Sequence, residues 1–367
     1  MHLADQLSKK HRVFWLNTYM RMPELSWSDF SKVMRILTGR SGKTADVPKV
    51  EKQVEGIRYF TPKIVPWFIP PIRKMNGILG RRFLKKLFHE YDIQSPVLIT
   101  TFPCTVDVFR AVRRETKQVY YCVDEWSEYP GLDQRRWKDM ERKLLECVDG
   151  TAFTSRDLLD RKQSNVKQSL YLPHGVDFNH FSRANVQETC ANIDLLDSLP
   201  KPIIGFFGTM DSWVDLAAIA ALAKRFPKYS FVVIGGARVS TEILQGQSNI
   251  HLLGPIPYSQ LPDYASYFDV GLIPFMLNDL TKAVNPLKLM EYFAIGVPVI
   301  STKLPDILNV PGPLYFAETH EEFGDRLEEI FQNDMQSLKR SAQETAQKNS
   351  WASRAEDLVK FIERLNV

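Results

Sequence analysis

The chain has 367 residues, 44% of them apolar and 25% charged, the balance of a folded soluble enzyme of about two domains rather than a disordered or fibrous chain. The net charge of +4 hides an asymmetry: residues 1–90 hold 18 Lys/Arg against 7 Asp/Glu, and the remainder carries a net of −7. No stretch reaches the roughly 18 uninterrupted apolar residues of a membrane span and no signal-peptide pattern opens the chain. Cys104, Cys122, Cys147 and Cys190 lack paired metal spacing, so a cytoplasmic protein with reduced thiols is expected.

In chain order, the first strong signal is charge. Residues 62–89 then carry Lys63, Arg73, Lys74, Arg81, Arg82, Lys85 and Lys86 with no acid, interleaved with Trp67, Phe68, Ile69, Ile72, Ile78, Leu79, Phe83, Leu84, Leu87 and Phe88. Bulky apolar residues among basic ones suit adsorption to an anionic bilayer surface, each charge contributing roughly 1 kcal/mol. The alternative is a solvated basic face on a helix whose apolar side enters the domain core. Nucleic acid is not expected as a partner, since no binding motif accompanies the charge.

From Val97 the pattern alternates. Strands are expected at Val97–Thr100, Val119–Val123, Gly150–Thr154 and Ser169–Leu172, with helices at Val106–Arg114 and Asp133–Glu146. It restarts with a strand at Pro202–Phe207, a helix at Asp215–Phe226, and strands at Phe231–Ile234, His251–Leu253 and Val270–Ile273. Such alternation builds parallel βαβ units. Between the two series lie Pro173-His-Gly-Val-Asp177 and a polar stretch from Ser182 to Pro200. The expected domains are therefore 1–172, completed by a terminal helix at 351–367, and 173–350.

The most informative segment is Asn285-Pro-Leu-Lys-Leu-Met-Glu-Tyr-Phe-Ala-Ile-Gly-Val-Pro-Val-Ile-Ser-Thr302. Pro286 suits the first helical position, Gly296 the stop, and Val297–Ser301 a short buried strand. Lys288 and Glu291, three apart, share a helix face near its start. A helix N-terminus carries roughly +0.5 of partial charge and unspent N–H groups. Lys288 adds a cation for phosphate there, and Glu291 offers acceptors for vicinal hydroxyls. Phosphates beside a ribose make a nucleotide site, with Asn285 and Leu287 as further candidate nucleotide-binding residues. An ordinary amphipathic helix with solvated Lys and Glu is the bland alternative.

The run Pro-x-Lys-x-x-Glu-Tyr-x-Ala-x-Gly-x-Pro-Val resembles the donor-binding helix of the group 1 family of retaining glycosyltransferases, with nearest likeness to its teichuronic-acid-type bacterial members. The resemblance covers roughly residues 95–367. It implies a GT-B fold, two Rossmann-like α/β domains facing a central cleft, and a reaction that moves a sugar from a nucleotide-sugar donor with retention. It implies that Lys288 meets the donor diphosphate, and with the helix dipole stabilises the leaving group, while Glu291 meets the ribose. It implies that the loop Leu253-Gly-Pro-Ile-Pro-Tyr258 clasps the nucleobase near Ile256. The usual first strand of the N-terminal domain would lie before Met1, with Val13–Leu16 as the second, so a reduced sheet is expected.

Two departures from the family pattern stand out. The loop Gly205-Phe-Phe-Gly208-Thr-Met-Asp-Ser-Trp-Val-Asp215 holds Asp211 and Asp215 where relatives often carry an arginine–lysine pair, leaving backbone N–H groups of Gly208 and Thr209 to face phosphate, or the loop as a tight turn only. Ala283 occupies the place of a sugar-contacting glutamate, with Asn285 or Asp279 as candidates to compensate.

On the acceptor side, Asp124 ends a strand and is the candidate to orient or deprotonate an acceptor hydroxyl, or else is a helix cap or loop acid. His174 and His180 read as structural. No Asp-x-Asp motif appears, so no cofactor and no obligatory metal are expected. The function expected is transfer to a glycan or polyprenyl-linked acceptor in bacterial surface polysaccharide synthesis, at the inner face of the plasma membrane. The competing reading is a catalytically degenerate GT-B protein that binds nucleotide or partners. A Rossmann oxidoreductase is disfavoured because no Gly-x-Gly-x-x-Gly follows an early strand.

Overall fold

Runs of β-branched and aromatic residues spaced by amphipathic stretches form three sheets in the computed structural model, which describes residues 2–17, 52–54, 56–62, 70–129, 131–182 and 193–365. Lys63, Trp67, Phe68, Ile69, Cys190 and most of the polar stretch before Ile193 lie outside the described residues. The chain divides into two compact units. One comprises Met1–Thr154, Leu158–Leu172 and Ala355–Val367; the other comprises Ser155–Asp157 and Pro173–Arg354.

In the first unit, β1 (Val13–Leu16), β2 (Lys52–Val54) and β3 (Ile57–Phe60) form a sheet in the order β1-β3-β2, with β1 parallel and β2 antiparallel to β3. A second sheet, β4 (Val97–Thr100), β5 (Lys117–Cys122), β6 (Gly150–Phe153) and β7 (Ser169–Tyr171), is parallel throughout and sequential in order. The helices are α1 (His2–Ser8), α2 (Pro70–Glu90), α3 (Val106–Val112), α4 (Gln134–Cys147) and α5 (Arg156–Lys162). Among the described residues β1 and β4 are both end strands, so the two sheets share no ladder. They share a core instead: Phe14 and Leu16 of β1 pack in one cluster with Leu98 of β4.

The basic arm resolves into α2. Leu84 and Leu87 are buried in that cluster, with Phe83 and Phe88 against it, while Lys74, Ile78, Arg81, Arg82, Lys85 and His89 share the exposed face. Gly77 and Gly80 let α3 approach closely, since a Cβ at either would sit 2.9 Å from the Asp107 carbonyl or 2.6 Å from Val108. Of the apolar residues in this arm, the larger described ones are thus spent on the core. Ile78 remains 49% exposed.

In the second unit, β8 (Ile203–Phe207), β9 (Ser230–Ile234), β10 (Ile250–Gly254), β11 (Val270–Ile273), β12 (Val299–Thr302) and β13 (Leu314–Ala317) build one parallel sheet in the order β10-β9-β8-β11-β12-β13. Counted within the unit this is 3-2-1-4-5-6, the doubly wound order, whose switch point lies between β8 and β11. Every residue of β8, β9, β11 and β12 is buried, as helices on both faces require. Those helices include α6 (Leu216–Arg225), α7 (Leu287–Ile295), α8 (His320–Phe331) and α9 (Met335–Lys348), whereas α10 (Trp351–Arg364) belongs to the first unit from Ala355. Two were not expected, α8 and α9. Burial of Ala342, Thr345 and Ala346 on α9 shows that its apolar stripe is made of small residues, too weak a signal against its polar ones. From Leu358 onward α10 packs into the first unit, where Gly150 leaves room for Phe361 and Leu365.

Candidate functional site

The nucleotide segment folds nearly as read, with one shift. Pro286 is the cap of α7 rather than its first residue, because its ψ of 107° is extended, and no side chain caps the helix. The N–H groups of the first turn therefore lack the capping acceptor that most helices supply. Gly296 closes α7 at φ +94°, a conformation glycine adopts without strain, and the Val297 N–H returns to the Tyr292 carbonyl at 2.9 Å. Strand β12 begins at Val299, two residues later than expected, after Pro298.

Tyr292 fixes the helix start over the switch point. It is fully buried, its ring fills the space above Gly271, and its hydroxyl accepts from the Phe207 N–H at 3.2 Å. The carbonyls of Gly205 and Leu272 lie 3.3 Å from the same hydroxyl, so α7 is tied to β8 and β11 together.

Lys288 and Glu291 face the carboxyl ends of these strands. Lys288 lies over Gly208, where an added Cβ would come within 2.4 Å of its Cε and 2.8 Å of its Nζ, and its ammonium sits 5.4 Å from the Phe275 ring centre. Glu291 is only 4% exposed. Burial pulls the Lys288 ammonium below its ordinary value and pushes Glu291 up to about 7; in each case the other's charge opposes the shift. Among the described residues neither side chain makes an ion pair or side-chain hydrogen bond. A half-buried cation and a buried acid, unpaired near an uncapped helix start, make this the candidate site.

The neighbouring loop works differently from the reading at Gly208. Its N–H donates to the Ile234 carbonyl at 2.8 Å and is not free for phosphate. What Gly208 contributes is the absence of a side chain, at φ +138°, where Lys288 crosses. Thr209 is exposed beside it. Asp211 is buried and bonded to Ser212 and Arg238. Asp215 caps α6 through the Ala218 N–H and meets His320 at 2.8 Å. Neither acid is loose in the loop.

The two residues considered as compensating for Ala283 both have partners in the structure. Asn285 is engaged at both ends, accepting from the His174 N–H at 3.1 Å and donating to Asp306, whose other oxygen accepts from the Arg156 N–H at 2.7 Å. It positions backbone rather than facing α7's open end. Asp279 is exposed and pairs with Lys282, and Ala283 itself is fully buried. Leu287 is half-buried in the first turn, and Ile256 packs its side chain against the core while Pro255, Pro257 and Tyr258 of the same loop are exposed. His174 is half-buried, loss of solvation pulls it down to about 4, and it lies edge-on to Trp351. His180 stacks on Tyr258 with centroids 4.8 Å apart and bonds its carbonyl at 2.9 Å.

In the first unit, Asp124 follows β5. It is not a helix cap: the adjoining 3-10 turn at Trp126–Glu128 takes Glu125 as its cap position, without a side-chain bond. Burial pushes Asp124 up to about 7, against the Tyr129 hydroxyl bond and the Lys162 charge. Beside it lies a buried network that the sequence reading missed. Lys162 meets Glu141 at 2.7 Å and Glu125 at 3.0 Å; the Tyr120 hydroxyl donates to Glu141 at 2.8 Å, and Ser127 to Glu125 at 2.7 Å. These residues are scattered from 120 to 162, and no local spacing joins them.

Comparison with known proteins adds a family to this geometry. Residues 201–333 match the family described as Glycosyl transferases group 1. A protein of Bacillus subtilis (strain 168) that carries the name teichuronic acid biosynthesis glycosyltransferase TuaH is 26% identical over 214 residues, 54% of this chain. The match spans about half (53%) of that protein's length. Among solved structures, sucrose-phosphate synthase (tll1590) from Thermosynechococcus elongatus has a TM-score of 0.67 at 16% identity, covering 97% of this chain and 99% of that one. Anabaena Alr3699/HepE, in complex with UDP and glucose, has a TM-score of 0.67 at 14% identity, covering 99% and 95%. The fold is GT-B, and over residues 201–333 the chain carries a glycosyl transferases group 1 domain.

Proposed function

We propose that this protein is a glycosyltransferase that moves a sugar from a nucleotide-sugar donor to a glycan or polyprenyl-linked acceptor, with retention, in bacterial surface polysaccharide synthesis. One observation carries the reading: Lys288 and Glu291 stand desolvated and unpaired at the uncapped start of α7. A diphosphate and a ribose answer both charges at once. The UDP held by HepE and the name of the Bacillus relative support the same donor and acceptor classes.

In this reading the bond from the anomeric carbon to the donor diphosphate breaks and its electron pair stays on the diphosphate. Lys288 and the first-turn N–H groups of α7 stabilise that charge, so no divalent ion is obligatory. Asp124, held near 7 by burial, orients the acceptor hydroxyl and takes its proton as the new glycosidic bond forms. Ala283, buried where relatives hold a glutamate, favours the degenerate reading as the alternative.

The test is calorimetry against nucleoside diphosphates and nucleotide-sugars in excess chelator, for the wild type, Lys288→Ala and Glu291→Ala. At least one nucleotide should bind the wild type, with each variant weakened tenfold or more; binding by none would overturn the proposal. Binding without transfer to any acceptor would leave the degenerate reading. The protein acts in the cytoplasm at the inner face of the plasma membrane, where the basic face of α2 meets anionic lipid through charge. Liposome co-sedimentation should depend on anionic lipid, and indifference to it would remove the membrane contact.

A further inference from the structure

The group 1 resemblance leaves a gap: the loop after β8 lacks the arginine–lysine pair expected for the diphosphate, and Lys288 alone faces two phosphates. The tertiary structure brings another cation to the same rim. Beyond the ends of β8 and β9 the chain continues as a second, smaller parallel pairing. The Met210 N–H donates to the Gly236 carbonyl at 2.9 Å, the Arg238 N–H donates to the Met210 carbonyl at 2.8 Å, and Met210 bridges Ala237. This strap fixes the backbone of Arg238 beside Asp211.

The guanidinium is held lightly. It meets Asp211 through one nitrogen at 3.3 Å, its side chain is 64% exposed, and no further partner is found among the described residues. Asp211 in turn is nearly buried and anchored by the Ser212 N–H at 2.7 Å, so it is a fixed post for a movable fork. The floor between Lys288 and Arg238 is made of glycine. Gly235 packs so closely on Gly208 that a Cβ there would lie 1.9 Å from the Gly208 carbonyl oxygen, whereas a Cβ at Gly236 would meet nothing within 4 Å. Gly208 and Asp211 are three chain steps apart, a reach of at most about 10 Å. A diphosphate on Lys288 and a long side chain reaching back from Arg238 can span that distance together.

We propose that Arg238 is the second phosphate-binding cation of this pocket, replacing the absent pair from the neighbouring loop, with Gly235 and Gly236 as the floor over which the diphosphate lies. This rests on the nucleotide reading above. Its consequence is that the cation comes from the loop after β9 rather than the loop after β8. A guanidinium there offers a two-pronged grip that a second lysine would not.

The experiment is calorimetric titration with the nucleoside diphosphate that binds best, with the corresponding nucleoside, and with both at two salt concentrations, for the wild type, Arg238→Ala and Arg238→Lys. Arg238→Ala should weaken the diphosphate about tenfold or more, flatten its salt dependence, and leave nucleoside affinity unchanged; Arg238→Lys should recover part of the loss. Equal diphosphate affinity in the wild type and Arg238→Ala would overturn the inference while leaving the nucleotide pocket standing. Equal losses for nucleoside and diphosphate would also overturn it, by marking Arg238 as a structural part of the loop. If no nucleotide binds the wild type, the nucleotide reading falls and this inference with it.

Discussion

The molecule holds two lysine–glutamate groups largely withdrawn from water, one in each unit, with Lys288 half-buried and the others buried, and they are in opposite states. In the first unit Lys162 is locked between Glu141 and Glu125, whose remaining oxygens accept from Tyr120 and Ser127. In the second, Lys288 and Glu291 are desolvated without pairing to each other or to any other described side chain. The same residue types are therefore saturated in one place and withheld in the other. A saturated network specifies a structure, while a withheld pair costs stability and keeps its bonding capacity for a ligand. The direction of the pKa shifts reports the difference. Burial works against the charge on Lys162, but Cys122, Glu141 and Glu125 outweigh it and hold the ammonium above its ordinary value. For Lys288 burial wins and the ammonium is held below.

The comparison is broken most directly by truncating each lysine. Lys162→Ala strands two buried carboxylates and should cost about 3–5 kcal/mol in denaturant unfolding. Lys288→Ala should change the unfolding free energy by less than about 1 kcal/mol, while diphosphate affinity falls on the order of 10- to 100-fold, the range for a charge-assisted contact. Equal stability losses in the two variants would erase the distinction between the groups.

A smaller effect sharpens it through pH. Glu291 is raised to about 7 in the folded protein, so below that value it is protonated and can no longer accept two hydroxyl bonds as a carboxylate. Affinity for a nucleotide-sugar, whose diphosphate diester does not titrate in this range, should fall by up to about tenfold per pH unit below 7 and level off above it. The stability sign is the reverse. A raised carboxyl stabilises the fold at low pH relative to high, and that contribution is lost as pH rises through about 7. Glu291→Gln should therefore stabilise the free protein above pH 7 and abolish the slope in donor affinity. A wild-type affinity that does not vary between pH 6 and 8 would show that Glu291 is already ionised.

Much of the fold was legible because its signals are local. The strand at Val270–Ile273 is found where it was read, and most other expected strands lie within one or two residues of their predicted ends. Asp133 and Asp215, expected as helix starts, are the caps just outside α4 and α6. What local pattern could not give was pairing. Val13–Leu16 was read as part of the main sheet of its domain, yet it ladders with Ile57–Phe60, 44 residues away. The small-residue stripe of α9 was hidden among glutamines and lysines.

At the candidate site, residue chemistry and spacing identified Lys288 and Glu291, since a helix start, a cation and an acid three residues on lie within one turn. The roles around them depended on which distant chain passes close by. Asn285 was read as a candidate ligand residue, and its amide also bridges His174 and Asp306, 111 and 21 positions away. Gly208 was read for its N–H and matters for the Cβ it lacks. Arg238 was unremarked because its relation to Asp211 spans 27 positions. By itself the sequence determined the elements, the helix start and the two charges we propose for a nucleotide, because these follow from short-range periodicity and capping. Only the tertiary structure decided which charges are satisfied and which stand open, because that depends on partners the chain brings together from far apart.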